Sequence, residues 1–303
     1  MKGRLGVLGL VVLLLADAVL VAWALGLLPG GGEDPAARSG TSQTTSSAPS
    51  PTSLSTSNGP ATQRPVLEAL DADRAWRASF TPCEDDEGEA TVEIERTADG
   101  GKTWESSEVP ARSVLRLRMS SETQGFAVIA DDTCKPAVVT TGDGGETWGE
   151  PEKAESTWGL WPDGGSEVLV PGGVSAEACV RGDVLALSAL DGQEALVLCE
   201  DGAIRRTTDT GQAWSSMEKA ENAVSLSARD RKVVVLLESQ DCDGLGVRAG
   251  ELEDALELGE ASCVEGVSEP AGISIADGVG WVSDGQTIVK SSDLDTWTHS
   301  DPA

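Results

Sequence analysis

The chain has no tyrosine, two phenylalanines, three methionines and a single histidine, His299. Each shortage closes a route. Without a phenol there is no tyrosinate nucleophile, and a single histidine at the end of the chain, with no CxxC or Cys/His spacing beside it, offers no ligand pattern for zinc and no evident triad base. Cations are scarce as well, with 22 Lys and Arg against 51 Asp and Glu, a formal charge of −29. All but three of the acids and all but four of the bases lie beyond residue 64. Phosphate backbones are bound by clustered cations that displace counterions, so nucleic acid is not an expected partner. Such a surface keeps a domain solvated and steers cationic partners. What the sequence does have is indole and glycine: nine Trp and 35 Gly in 303 residues. The aromatic residues are almost all of one kind, which points to one local task done repeatedly.

Lys2 and Arg4 precede Leu5–Leu28, a 24-residue stretch with a single charge, Asp17. At about 1.5 Å per residue it is long enough for a hydrocarbon core of about 30 Å. Residues 1–28 therefore read as a signal anchor or transmembrane segment with its basic end inside. The alternative is a signal peptide cleaved after Ala18 or Ala24. Either way the remainder is exported, as a single-pass membrane protein with its C-terminal domain extracytoplasmic, or as a secreted one. Residues 29–64 are rich in Gly, Ser, Thr and Pro, with little apolar to bury, and read as a disordered stalk. The remaining span, 65–303, is the folded domain.

Six cysteines, Cys83, Cys134, Cys179, Cys199, Cys242 and Cys263, all follow the stalk. In an exported chain an even set without CxxC or Cys/His spacing reads as three disulfides. Cys179 and Cys199 bracket two strand-like runs that a hairpin would fold back together, and Cys242 and Cys263 do the same. Cys83 is then left for Cys134.

Repeats decide the fold class. Thr97-Ala-Asp99-Gly-Gly101-Lys-Thr103-Trp104 recurs as Thr141-Gly-Asp143-Gly-Gly145-Glu-Thr147-Trp148. A third copy is Thr207-Thr-Asp209-Thr-Gly211-Gln-Ala213-Trp214, and Ser291-Ser-Asp293-Leu-Asp295-Thr-Trp297 is a worn fourth, one residue short. An Asp side chain can accept backbone N–H bonds in a tight turn while Gly supplies positive φ, and a β-branched residue followed by an indole suits the start of a strand. These segments resemble the Asp-box of bacterial sialidases, sortilin-type receptors and the photosystem II assembly-factor group of exported propellers. The resemblance implies a β-propeller of four-stranded antiparallel blades, with the boxes on outer hairpins away from the binding face.

Alternating runs support that reading. Thr91–Arg96, Ala137–Thr140, Ala203–Arg206 and Gln286–Lys290 precede the four boxes, and Ala75–Phe80, Gly125–Ala130, Glu194–Cys199 and Gly280–Val282 come before those. Val114–Met119, Val184–Leu187 and Gly272–Ala276 supply an earlier strand to three of the units. Boxes spaced by 44, 66 and 84 residues imply that one has been lost, within Val224–Cys263. Trp158–Ala178 reads as an insertion or a degenerate blade, so the ring has five or six.

Function is less legible. Sialidases need a Tyr–Glu pair and an Arg cluster, and with no Tyr the likeness stops at the scaffold. Glu84–Glu89 and Asp131-Asp132 read as solvated loops, and Asp241–Gly246 lacks the ligand pattern of a calcium loop. No catalytic, metal-binding or cofactor-binding residue is assigned. Trp158 and Trp161 read as packing between blades ahead of an aromatic platform. The expected function is a non-enzymatic scaffold at the cell surface, presenting an acidic propeller to a protein partner. The alternative is a propeller that binds or hydrolyses cell-wall or extracellular glycans.

Overall fold

The computed structural model describes residues 63–83 and 90–300, so Leu5–Leu28, most of the stalk and Glu84–Glu89 lie outside the described residues. Six antiparallel sheets follow one another along the chain as the blades of a β-propeller. The first holds β1 (Arg64–Ala69), β2 (Ala75–Phe80), β3 (Val92–Thr97) and β4 (Glu105–Val109). The second holds β5 (Ser113–Met119), β6 (Gly125–Ala130), β7 (Pro136–Thr141) and β8 (Glu152–Lys153). The third has only β9 (Gly159–Leu160), β10 (Glu167–Val170) and β11 (Val174–Glu177). β12 (Val184–Ala189), β13 (Ala195–Cys199), β14 (Ala203–Thr207) and β15 (Ser215–Lys219) form the fourth. In the fifth, β16 (Ala223–Arg229), β17 (Lys232–Glu238), β18 (Gly244–Leu252) and β19 (Leu256–Leu258) are joined by β20 (Ser262–Glu265), which also pairs with β18. The sixth is β21 (Gly272–Ala276), β22 (Val279–Ser283), β23 (Ile288–Ser291) and β24 (Thr298–His299).

The span Trp158–Ala178 is thus a degenerate blade, and the ring has six. The box-less unit at Val224–Cys263 gains a fifth strand, and β1 has no counterpart in the sequence reading because Arg64 and Pro65 blend into the stalk composition.

Sequence polarity sorts the strands from inside to outside. Second strands such as β6 and β13 carry continuous apolar runs because both faces are covered by neighbouring blades. Fourth strands such as β4, β8 and β15 are mostly charged or polar and exposed, which suits a perimeter where edges must not pair with other chains. Apolar clusters fill the gaps between adjacent sheets, such as Ile94, Val109, Val114 and Ile129 between the first and second.

Small polar contacts stitch the inner strands together. Ser188 Oγ accepts from Ala228 N at 2.9 Å, Ser227 Oγ from Ile275 N at 3.2 Å, and Ser274 Oγ from Ala69 N at 2.9 Å. Indoles do the same further out: Trp76 Nε1 donates to Gly144 O at 2.7 Å, Trp158 Nε1 to Asp191 O at 2.8 Å and Trp281 Nε1 to Asp71 O at 2.8 Å. Among the described residues no strand is exchanged between the first and last blades. The ring is therefore closed by side chains at that seam, where Lys290 Nζ also donates to Ala72 O and Gly100 O.

The two ends of the ring are held by different chemistry. Ala69 pairs with Ala75 and Ala75 with Thr97, so the Asp-centred turns sit at the end where inner strands finish. The disulfides Cys83–Cys134, Cys179–Cys199 and Cys242–Cys263 lie at the other end, with Cα separations of 5.9, 5.7 and 5.4 Å. These are the pairs read from the spacing. Three bridges imply an oxidising compartment. Among the described residues no helix is long and apolar enough to cross a membrane.

Candidate functional site

The four repeat motifs form closed hydrogen-bonded turns. In the first, Asp99 Oδ1 accepts from Thr97 Oγ1, Lys102 N and Thr103 N at 2.9 to 3.0 Å, and Asp99 Oδ2 from Thr103 Oγ1 at 2.6 Å. Those donors hold its carboxyl down at about 2. Asp143 accepts the equivalent bonds from Thr141 and Thr147, and Asp209 from Thr207 and Ala213, where the lost threonine removes one bond. In the shortened fourth turn Asp293 accepts from Ser291 Oγ, Asp295 N and Thr296 N. Gly101, Gly145 and Gly211 take φ of +89°, +91° and +80°, and Leu294 occupies the left-handed region in the fourth.

The indoles cover the turns. Trp104 lies under the Arg77 guanidinium at 4.1 Å and donates to Gly101 O, and Trp148 Nε1 donates to Ser107 Oγ of the preceding blade. Trp214 meets the buried Trp158 edge-on at 6.3 Å, and Trp297 packs with the core of the last two blades. All four turns lie at the rim of one end, each spent on its own hairpin and its neighbour. Trp158 is buried, so the aromatic pair in the third blade is packing. The Asp131 carboxylate is likewise used in its own turn by Thr133 and Lys135, and Asp243 is followed directly by β18.

The concave site is elsewhere. A chamber of about 240 Å³ runs along the ring axis, lined by the inner strands β1, β5, β12, β16 and β21. Its walls are largely Leu, Ala, Ser and Ile, and a charged cluster is set among them. Glu68 of β1 is buried, with Oε1 at 3.4 Å from Arg118 Nη1 of β5 and 3.9 Å from Arg229 Nη1 of β16. Met119 N is also 3.4 Å away. Burial pushes the Glu68 carboxyl up, against the pull of Arg118, Arg229 and Arg116. Arg116, between Arg118 and the far mouth, reaches only Thr157 Oγ1 and Trp158 O, both at 3.4 Å, and stacks near Phe126 at 5.6 Å. Its depth in the ring brings its pKa down to about 10.

Arginines also bridge both mouths. Arg229 reaches from the fifth blade to Ala69 O of the first at 3.3 Å. At the disulfide end Arg64 stretches from the first blade to Asp183 at 3.3 Å and to Val184 O in the fourth, over the Phe80 ring. Beside that mouth Glu269 is raised to about 7, by burial and by its hydrogen bond to Glu238. Arg64 at the disulfide-end mouth thus stands with Asp183, Glu238 and Glu269. Around Glu68 three guanidiniums, Arg116, Arg118 and Arg229, face one carboxylate, a local cationic excess inside an acidic chain. Such forks bind carboxylate or another oxyanion bidentately. No group of three or more His, Cys, Asp or Glu is placed to hold a metal ion among the described residues.

Sequence reading did not single out Glu68, Arg116, Arg118 or Arg229. The available signal was Arg116-Leu-Arg118: two charges at the same parity in a strand otherwise apolar, which puts both on one face.

No family model and no curated protein matches the chain. Among solved structures it is similar to YCF48 bound to D1 peptide, with 19% identity and a TM-score of 0.31 over 79% of this chain and 67% of that one. It is also similar to the GH74 xyloglucanase from Xanthomonas campestris, with 12% identity and a TM-score of 0.28, covering 77% of this chain and 38% of the enzyme. The Aleuria aurantia lectin in complex with Fucα1-6GlcNAc matches with 12% identity and a TM-score of 0.45, over 79% and 95% of the two chains. The likeness is one of fold.

Proposed function

We propose that this chain is a non-enzymatic binding module of the cell surface, an Asp-box propeller held in an extracytoplasmic space by its N-terminal segment, or released there if that segment is cleaved. Its ligand is an anionic group of a protein partner, received in the axial chamber. The observation that carries this reading is the set of arginines Arg116, Arg118 and Arg229 around the single carboxylate of Glu68. In a chain of net charge −29, keeping several guanidiniums at the centre works against solvation unless an anion offsets them. Among the described residues Arg116 makes only two long hydrogen bonds, leaving most of its donors for a ligand.

The non-enzymatic reading rests on the carboxyls. Glycosidases hold two carboxyl groups about 5–9.5 Å apart around the scissile bond. Glu238 and Glu269 are instead hydrogen-bonded to each other, and Glu68 is tied to arginines. The second reading, a glycan-binding or glycan-cleaving propeller, draws on the same chamber taking an acidic sugar.

Cross-linking and mass spectrometry on the membrane fraction should return a dominant protein partner with the wild-type chain and lose it with Arg116→Gln and with Arg118→Gln. Capture unchanged in both variants would remove the chamber from the reading. Binding on a glycan array without a protein partner would favour the alternative, and hydrolysis of a glycan abolished by one carboxylate substitution would end the non-enzymatic one.

A further inference from the structure

The third blade differs from the other five at its perimeter. Elsewhere the third strand of a sheet is covered on its outer side by a further strand, β4, β8, β15, β19 with β20, or β24. In the third blade the order ends at β11, so among the described residues its outer row of backbone N–H and C=O groups has no strand partner. Natural edges are usually blunted by charge or proline. β4, β8 and β15 follow that rule, with Glu105 and Glu108, Glu152 and Lys153, and Glu218 and Lys219, whereas β19 has only Glu257 and β24 is the two-residue Thr298–His299. β11 reads Val-Ser-Ala-Glu, with one charge at its end.

The exposed large apolar side chains point to the same place. They are Val174, 58% exposed, and Val180, 74% exposed. Val174 opens β11 and Val180 lies three residues beyond its end. The uncovered strand edge and the exposed Val174 therefore coincide on β11, while Val180 lies on the connection from Cys179 to the inner strand β12.

We propose that the outer edge of β11 accepts an extended segment of a partner protein as the missing fourth strand of this blade, with an apolar residue over Val174 and a Lys or Arg beside Glu177. This site is separate from the axial chamber. An open edge recognises extended backbone, because main-chain hydrogen bonds supply affinity and alternate side chains supply selectivity. The charge requirement comes from the surroundings: Glu155, whose carbonyl holds the β10–β11 hairpin, Glu167, which accepts from Ser175 Oγ, and Glu177 itself. A second copy of this chain fits poorly, since antiparallel self-pairing of the edge would set Val174 against Glu177 and bring together two chains of −29 each.

The test uses the full chain and a capped peptide of alternating Val and Thr flanked by Lys, followed by hydrogen–deuterium exchange. At ~1 mM peptide the amides of 173–177 should slow by about tenfold or more. The same peptide with N-methyl groups on alternate amides should give no protection, and one flanked by Glu should bind about tenfold more weakly. Val174→Lys, a surface change, should weaken binding while leaving the melting curve unchanged. The proposal is overturned if 173–177 exchange is unaffected, if the N-methylated peptide protects equally, or if β4 and β15 are protected as strongly as β11. Light scattering that showed a dimer lost in Val174→Lys would replace the partner segment by a second copy.

Discussion

Because among the described residues no strand crosses from the last blade to the first, the seam should depend on Trp281 more than on any other single residue. Trp281 is fully buried in β22, donates to Asp71 O at 2.8 Å, lies 4.7 Å from Lys290 Nζ, and fills the space beside Gly101. Trp281→Ala removes that indole from a site whose walls are two sheets and cannot collapse inward, so the loss should be about 3–5 kcal/mol. Trp281→Phe keeps most of the apolar contact and deletes the N–H, leaving the Asp71 carbonyl to solvent at a cost of about 1 kcal/mol. With a guanidinium m value of about 5 kcal/mol/M, the midpoint should fall by about 0.6–1 M in the alanine variant and about 0.2 M in the phenylalanine one. Trp76→Phe deletes the same kind of bond between the first and second blades, where the chain itself is continuous, and should behave similarly at equilibrium. Limited proteolysis separates the two: opening of the seam exposes β1 and β24 before the rest unfolds, and only the Trp281 variants should be cut there first. If Trp281→Ala loses under 1 kcal/mol, or is cleaved no earlier than Trp76→Phe, the ring is not closed by this contact.

Three further outcomes follow from particular residues. Cys83→Ala with Cys134→Ala should cost about 4 kcal/mol and Cys179→Ala with Cys199→Ala about 3.3, since the loops closed span 51 and 20 residues; the reverse order in chemical denaturation would refute the entropic account. Thr210 is β-branched yet has φ of +62°, where the first two repeats place Gly100 and Gly144, so Thr210→Gly should raise stability by about 1 kcal/mol, and a lower melting temperature would show the strain absent. Glu269 is raised in the folded state to about 7, so the stability tied to its protonated form is complete below its ordinary pKa and lost as pH rises through 7. Glu269→Gln should therefore melt like the wild type at pH 4 and above it at pH 8; parallel curves at both pH values would contradict the shared proton.

The repeats made much of the fold legible. Each Asp turn is a local device: Thr97, Asp99, Gly101 and Thr103 satisfy one another within seven residues, so neither the turn nor the strand before it needs distant partners. The disulfides were legible for a related reason, because each cysteine in the two short loops flanks strands that a hairpin brings back together. Where no local device marks a unit, reading failed by degrees. Trp158–Ala178 has no box and strands of two to four residues, and β1 is hidden in the edge of the stalk.

The axial chamber belongs to the other class. From the sequence alone, the alternation in β1, β5 and β16 determines that Glu68, Arg116, Arg118 and Arg229 share faces with their strand neighbours. It does not determine which face, since a strand buried on both sides reads as apolar either way. Glu68 and Arg229 are separated by 161 positions, and they meet only because six sheets close into a ring and bring the first and fifth inner strands to one axis. Ring closure is a sum of packing between blades, set by indoles, serines and Lys290 at a seam the chain does not cross. Local chemistry, repeated, wrote the blades into the sequence; the number of blades, the uncovered edge of β11 and the cationic axis were decided only when those blades packed.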